Sequence, residues 1–163
     1  MSQWEVPKPQ PVMSEETAQF WEGTASGELR VQRCRACGNL QLPASAACVA
    51  CWSSELEWVR ASGAGTIFSF TVVHHAFHPA FAGEVPYVVA DVELEEGPIL
   101  TSSIVDVDPA QVKIGMEVEA RFRRLDEEYV LCVFGPAGSD AAGSDLVGTS
   151  AVKAGGRGGK AHQ

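Results

Sequence analysis

The sequence is short of positive charge. Twelve lysines and arginines stand against 21 aspartates and glutamates in 163 residues, leaving a formal net charge of −9. Nucleic-acid binders normally present a basic footprint, and this chain as a whole has none. No stretch approaches the roughly twenty apolar residues needed to cross a bilayer. The opening MSQWEVPKPQPVMSEE lacks an apolar core flanked by positive charge, so it carries no signal-peptide pattern. No Ser/His/Asp set, no carboxylate pair placed for acid–base work and no phosphate-cradling glycine loop stands out. The reading is a cytoplasmic protein, without a membrane partner and with no catalytic residues of its own.

Cysteine is scarce as well, at five residues, but four of them are grouped. Cys34-Arg-Ala-Cys37-Gly38 is followed ten residues later by Cys48-Val-Ala-Cys51. Two short turns, each offering two thiolates, make a tetrahedral S4 site with no position left for substrate: a structural zinc ribbon. We therefore expect one structural Zn2+ per chain, held by Cys34, Cys37, Cys48 and Cys51. Iron in a rubredoxin-like site is the alternative, since it accepts the same tetrahedron. Gly38 suits a turn that needs positive φ. Trp52 stands in the equivalent place after the second pair. A ribbon this small buries too little apolar surface to fold unaided, so the metal must supply the difference.

The rest of the chain reads as mainly β. Residues 1–27 form an arm with prolines at 7, 9 and 11, then a short helix from Glu15 to about Thr24 behind a Ser14 N-cap. Residues 28–61 are the ribbon, entered by a strand over Leu29–Arg33. Residues 62–136 carry five strand patterns: Thr66–His74, Tyr87–Glu95, Ile99–Val107, Met116–Leu125 and Tyr129–Phe134. In Met116–Leu125 the residues Met116, Val118, Ala120 and Phe122 face one way and charged residues the other. A helical turn at Asp108–Val112 precedes the fourth strand. This order predicts a five-stranded OB-fold barrel, with an open sandwich as the alternative. Residues 137–163, mostly Gly, Ala and Ser, read as a flexible tail.

In order, Phe20-Trp21-Glu22, GELRVQRCRACGNLQLP, CVACW, ASGAGTIFSFTVVHHAF, VPYVVADVELEEGP and IGMEV resemble one two-module family. These are the OB-fold, zinc-ribbon proteins associated with acyl-CoA enzymes, catalogued as a domain of unknown function. The resemblance spans roughly residues 15 to 136. It implies an accessory small subunit of a thiolase-like enzyme, itself non-catalytic. The large subunit would carry out thiolysis, acyl transfer or retro-aldol cleavage of a CoA thioester, steroid side chains among the substrates. It further implies two large and two small chains, with acyl-CoA at or near their interface. The family often has CxxCG in both cysteine pairs, and Trp52 departs from that.

Several residues have two readings. Arg33 and Arg35, with Arg30, either receive CoA phosphates or are solvated charges that offset the thiolates. Phe20 and Trp21 either pack on the ribbon or anchor a partner, and the resemblance favours the partner. His74, His75 and His78 do not share one ion, because neighbours on a strand point to opposite faces. His78, on a long loop with Phe77 and ahead of Tyr87, is placed to approach substrate or CoA. Arg121, Arg123 and Arg124 are expected to pair with glutamates across strands. Cys132 reads as a small buried hydrophobe. A single-stranded nucleic-acid binder is the alternative function, because OB barrels and ribbons serve it elsewhere. The charge opposes it.

Overall fold

A computed structural model describes residues 7–139. The tail expected over 137–163 therefore lies, from residue 140 onward, outside the described residues. One helix, α1 (Ala18–Ala25), precedes a three-stranded sheet of β1 (Arg30–Cys34), β2 (Leu40–Gln41) and β3 (Leu56–Arg60). Then come β4 (Ala64–Val73), β5 (Tyr87–Leu94), β6 (Ile99–Ile104), β7 (Glu117–Arg124) and β8 (Val130–Pro136). The first sheet runs β2-β1-β3, and the last five strands close into a barrel in the order β4-β5-β6-β8-β7. Closure depends on one parallel contact, Ile104 against Phe134, while the other pairings are antiparallel. The five-stranded barrel, with only a 3-10 turn at Pro109–Gln111 between its third and fourth strands, is the predicted OB fold.

The first barrel strand must serve two neighbours. Ala64–Thr66 pair with β7, while Gly65–Val73 pair with β5 except at Phe68, where a bulge bends the strand. Gly65 sits where three strands crowd: a Cβ there would lie 2.7 Å from the Glu93 carbonyl oxygen and 2.8 Å from Val92 Cγ1. Backbone cannot step aside as a long side chain can. Gly65→Ala is therefore expected to cost about 2–3 kcal/mol, the range of an overpacked core, read as a lower urea midpoint with unchanged slope.

Alternation along the strands fills one continuous core. Ile67, Val88, Val92, Leu94, Val118 and Phe134 are buried inside the barrel, and Leu29, Val31 and Ala61 extend the same cluster into the ribbon sheet. Cys132 joins it, and burial pushes its thiol up to about 12, so it packs as a neutral group.

The helix starts later than its composition implies. Ser14 does not cap it. Its N–H instead donates to Thr17 Oγ1 at 3.0 Å and its carbonyl accepts from Thr17, so residues 15–17 are a turn and the helix begins at Ala18. The arginines of β7 also differ from expectation. Arg121 and Arg123 both pair with Asp106, on the β6–β7 connection, and Arg124 donates to the carbonyls of Asp126 and Glu127. Asp106 adopts φ +59°, a left-handed conformation that Asp tolerates, and this turns its carboxylate toward both guanidinium groups. Among the described residues no cross-strand glutamate pairs with them, and Arg121 instead fills a slot that Gly135 leaves over β8.

Candidate metal centre and its surroundings

The ribbon sheet brings both cysteine turns to one point. The four sulfurs lie within 4.8 Å of one another, with Cys34 and Cys51 at 3.6 Å and Cys37 and Cys48 also at 3.6 Å. A tetrahedron with metal–sulfur bonds of about 2.3 Å has edges of about 3.8 Å, so the set fits one zinc ion. Each turn contributes one buried ligand, Cys34 or Cys48, and one exposed ligand, Cys37 or Cys51.

The two turns are built alike. Cys34 N–H donates to Asn39 O and Gly38 N–H to Cys34 O, both at 2.8 Å. In the second turn, Cys48 N–H donates to Ser53 O at 2.8 Å and Trp52 N–H to Cys48 O at 2.9 Å. The matching residues Gly38 and Trp52 have φ of +79° and +62°. A tryptophan held there costs about 1–2 kcal/mol that glycine would not. Its side chain is 82% exposed, with Val49 of the same turn 65% exposed, so burial of neither residue offsets that cost.

Backbone dipoles prepare one of the sulfurs, Cys48. Loss of solvent raises the Cys48 thiol, but N–H groups of Cys51 and Ala50 outweigh it and bring the thiol down to about 6. At Cys51 the Ser53 N–H pulls downward, yet the Cys37 sulfur and loss of solvent prevail and hold the thiol up at about 12. Four thiolates this close repel, and a divalent cation at their centre is what lets all of them ionise.

Around the cysteines the ribbon's interior is polar. Gln32 and Gln41 face each other across β1 and β2 and are almost fully buried. Gln32 Oε1 accepts from Ser45 N–H at 2.9 Å and from Gln41 Nε2 at 3.1 Å, and Gln41 Oε1 accepts from Val49 N–H at 2.9 Å. Together they tie the loop between the cysteine turns to the sheet. Sequence reasoning missed them. The available signal was a glutamine at an inward position of each strand, which is costly unless fully hydrogen-bonded.

The arginines flanking Cys34 converge on one carboxylate. Arg33 and Arg35 both ion-pair with Glu57 of β3, and their hydrogen bonds hold its carboxyl below the usual range. Arg30 pairs with Glu28. Phe20 packs against the core, and Trp21 meets Tyr129 edge to face at 5.2 Å, both half-buried. On the β4–β5 loop, Phe77 is exposed, His78 Nδ1 accepts from Ala80 N–H to cap a 3-10 turn, and Tyr87 opens β5 beside Phe81. Among the described residues, no hydrogen bond or ion pair links this loop group to Arg33 and Arg35.

With the S4 cluster and the closed barrel in place, comparison with known proteins separates this fold pair from other ribbons. Residues 21–57 match the ChsH2 rubredoxin-like zinc ribbon domain, and residues 58–123 match the ChsH2 C-terminal OB-fold domain. The chain belongs to the ChsH2 (DUF35) family. It is 43% identical over 97 residues to a DUF35 domain-containing scaffold protein of Methanocaldococcus jannaschii, covering 59% of this chain and 68% of that one. It is 40% identical over 130 residues to a probable enoyl-CoA hydratase alpha subunit of Thermomonospora curvata, covering 80% of this chain but only 40% of the relative. It is 46% identical over 113 residues to the 3-oxo-4,17-pregnadiene-20-carboxyl-CoA hydratase alpha subunit of Mycobacterium tuberculosis, covering 69% of this chain and 35% of that subunit. The chain thus spans well under half the length of either hydratase subunit. A chain of the Ltp2-ChsH2(DUF35) aldolase structure superposes with a TM-score of 0.73 at 40% identity, covering 78% of this chain and 99% of that one. Among the described residues, no helix is long and apolar enough to cross a membrane.

Proposed function

We propose that this ChsH2-family chain is a non-catalytic accessory subunit of a thiolase-like acyl-CoA enzyme. Zinc fixes the ribbon, and the ribbon docks on the large subunit. The barrel's β4–β5 loop then helps shape the channel for CoA and the acyl group. The observation that carries this reading is the near-complete coverage of a ChsH2 chain taken from a two-protein aldolase. The hydratase relatives, one acting on a steroid-derived CoA thioester by its name, support acyl-CoA chemistry of the lipid or steroid kind. Only about a third of the latter subunit is matched, so its hydration chemistry is not assigned to this chain.

Within this reading the exposed Val49 and Trp52 present an apolar tip for the partner, and the half-buried rings of Phe20 and Trp21, on α1, offer it a second contact. Arg33 and Arg35 share a single carboxylate, which leaves one positive charge in excess for CoA phosphate, with Phe77, His78 and Tyr87 nearer the acyl end. Zinc's part is architectural, because four sulfurs leave it no open position. The expected assembly is two large and two small chains in the cytoplasm.

Co-expression with a thiolase-like protein tests the proposal. The two chains are expected to elute together, and the large chain's turnover of a CoA thioester is expected to fall at least tenfold without this one. Separate elution, with the large chain fully active alone, overturns it.

A further inference from the structure

The N-terminal arm is held down by contacts that bridge two loops of the barrel. Lys8 ion-pairs with Glu84 and lies 5.5 Å from the centroid of the Phe81 ring, both residues of the β4–β5 loop. Gln10 Nε2 donates to Asp126 Oδ2 at 2.7 Å, on the β7–β8 turn. Those are the loops that flank ligands in OB folds generally. Prolines at 7, 9 and 11 keep this stretch extended, so little chain entropy is lost in laying it down.

Between arm and barrel lies a cavity of about 320 Å³, within the range of small-molecule sites. Its apolar wall includes Phe81, Tyr87, Ile104, Leu131 and Val133, and Pro9 and Pro11 of the arm cover it. Lys8, Arg123 and Arg124 also line it, against a single lining carboxylate, Glu84. Three of only 12 basic residues in an acidic chain thus meet at one apolar hollow. Lys8 is matched by Glu84 and Arg123 by Asp106. Arg124 spends one nitrogen on backbone carbonyls of the β7–β8 turn; the Asp126 carboxylate, itself held by Gln10, feels its charge, but among the described residues Arg124 is in no ion pair.

We infer that this cavity binds an apolar group ending in an anion, such as an aliphatic carboxylate, and that arm residues 7–11 are a strap that closes it. An apolar wall takes the body of the ligand, and the Arg124 guanidinium meets the charge. The strap is held by one exposed ion pair, one cation–π contact and one exposed hydrogen bond, each weak in water. It therefore lifts without disturbing the barrel core. The site stands on this chain alone and does not depend on the large subunit.

Calorimetry of the zinc-loaded full chain with decanoate, and with decanol as the neutral counterpart, tests both halves. Decanoate is expected to bind saturably and at least fivefold more tightly than decanol. The Glu84→Gln, Gln10→Ala double variant frees the arm while keeping Lys8, and is expected to tighten decanoate and uncharged decanol alike at least fivefold, the decanol gain being independent of the lost Glu84 charge. Arg124→Gln is expected to weaken it at least fivefold. No saturable binding to either chain, or binding indifferent to Arg124→Gln, overturns the site. Binding that the double variant leaves unchanged overturns the strap.

Discussion

Stripping the metal is expected to unfold the ribbon while leaving the barrel strands paired. The ribbon has little of its own to hold it: its buried side chains away from the barrel are Cys34, Cys48, Gln32 and Gln41. Structural zinc in small modules supplies on the order of 10–16 kcal/mol, more than such an interior provides. Elemental analysis is expected to find one zinc per chain. After chelation, or in Cys48→Ser, amides of β1, β2 and the two cysteine turns are expected to exchange freely, whereas Val88 and Val118 stay protected. Acid acts in the same direction, because the ligands bind as thiolates and protons compete for them as pH falls. The barrel's melting temperature drops as well, since Leu29, Val31 and Ala61 belong to its core cluster and lose their anchorage. Ribbon amides that remain protected in metal-free protein would refute the ligand assignment.

How much of this was legible in the sequence depends on the range of each interaction. The metal set was readable because four cysteines in two identical spacings encode their own geometry, and the sulfurs do converge. The barrel was readable because alternation is a local signal, and each of its five predicted strands overlaps an observed one. What stayed hidden is non-local. β2 is two residues long, too short for any period to show, and it exists because β1 and the cysteine turns position it. Asp106 meets Arg121 and Arg123 only once β6, β7 and β8 are assembled. The arm's contacts join Lys8 and Gln10 to residues 84 and 126, separations no pattern can carry. Ser14 failed as a cap because a competing hydroxyl, Thr17, sits three residues on.

Phe134→Ala is expected to bring the whole chain close to unfolding. Phe134 is fully buried in β8, and its backbone also closes the barrel: it is the parallel partner of Ile104, and its carbonyl accepts from Val105 N–H at 2.8 Å. Removing a buried phenylalanine ring costs about 3–5 kcal/mol through lost transfer energy and the cavity left behind. Domain stabilities of about 5–15 kcal/mol leave little margin after that. Phe68 supplies the contrast within the same barrel. It occupies the β4 bulge, 58% exposed, and Phe68→Ala is expected to shift stability by no more than about 0.5 kcal/mol. Urea denaturation of both variants, zinc-loaded, separates the two sites. The bulge in β4 leaves one ring outside, and the closure of β8 against β6 and β7 puts the other inside. Equal losses from the two substitutions would mean that the bulge at Phe68 does not exist and that β4 is out of register with β5.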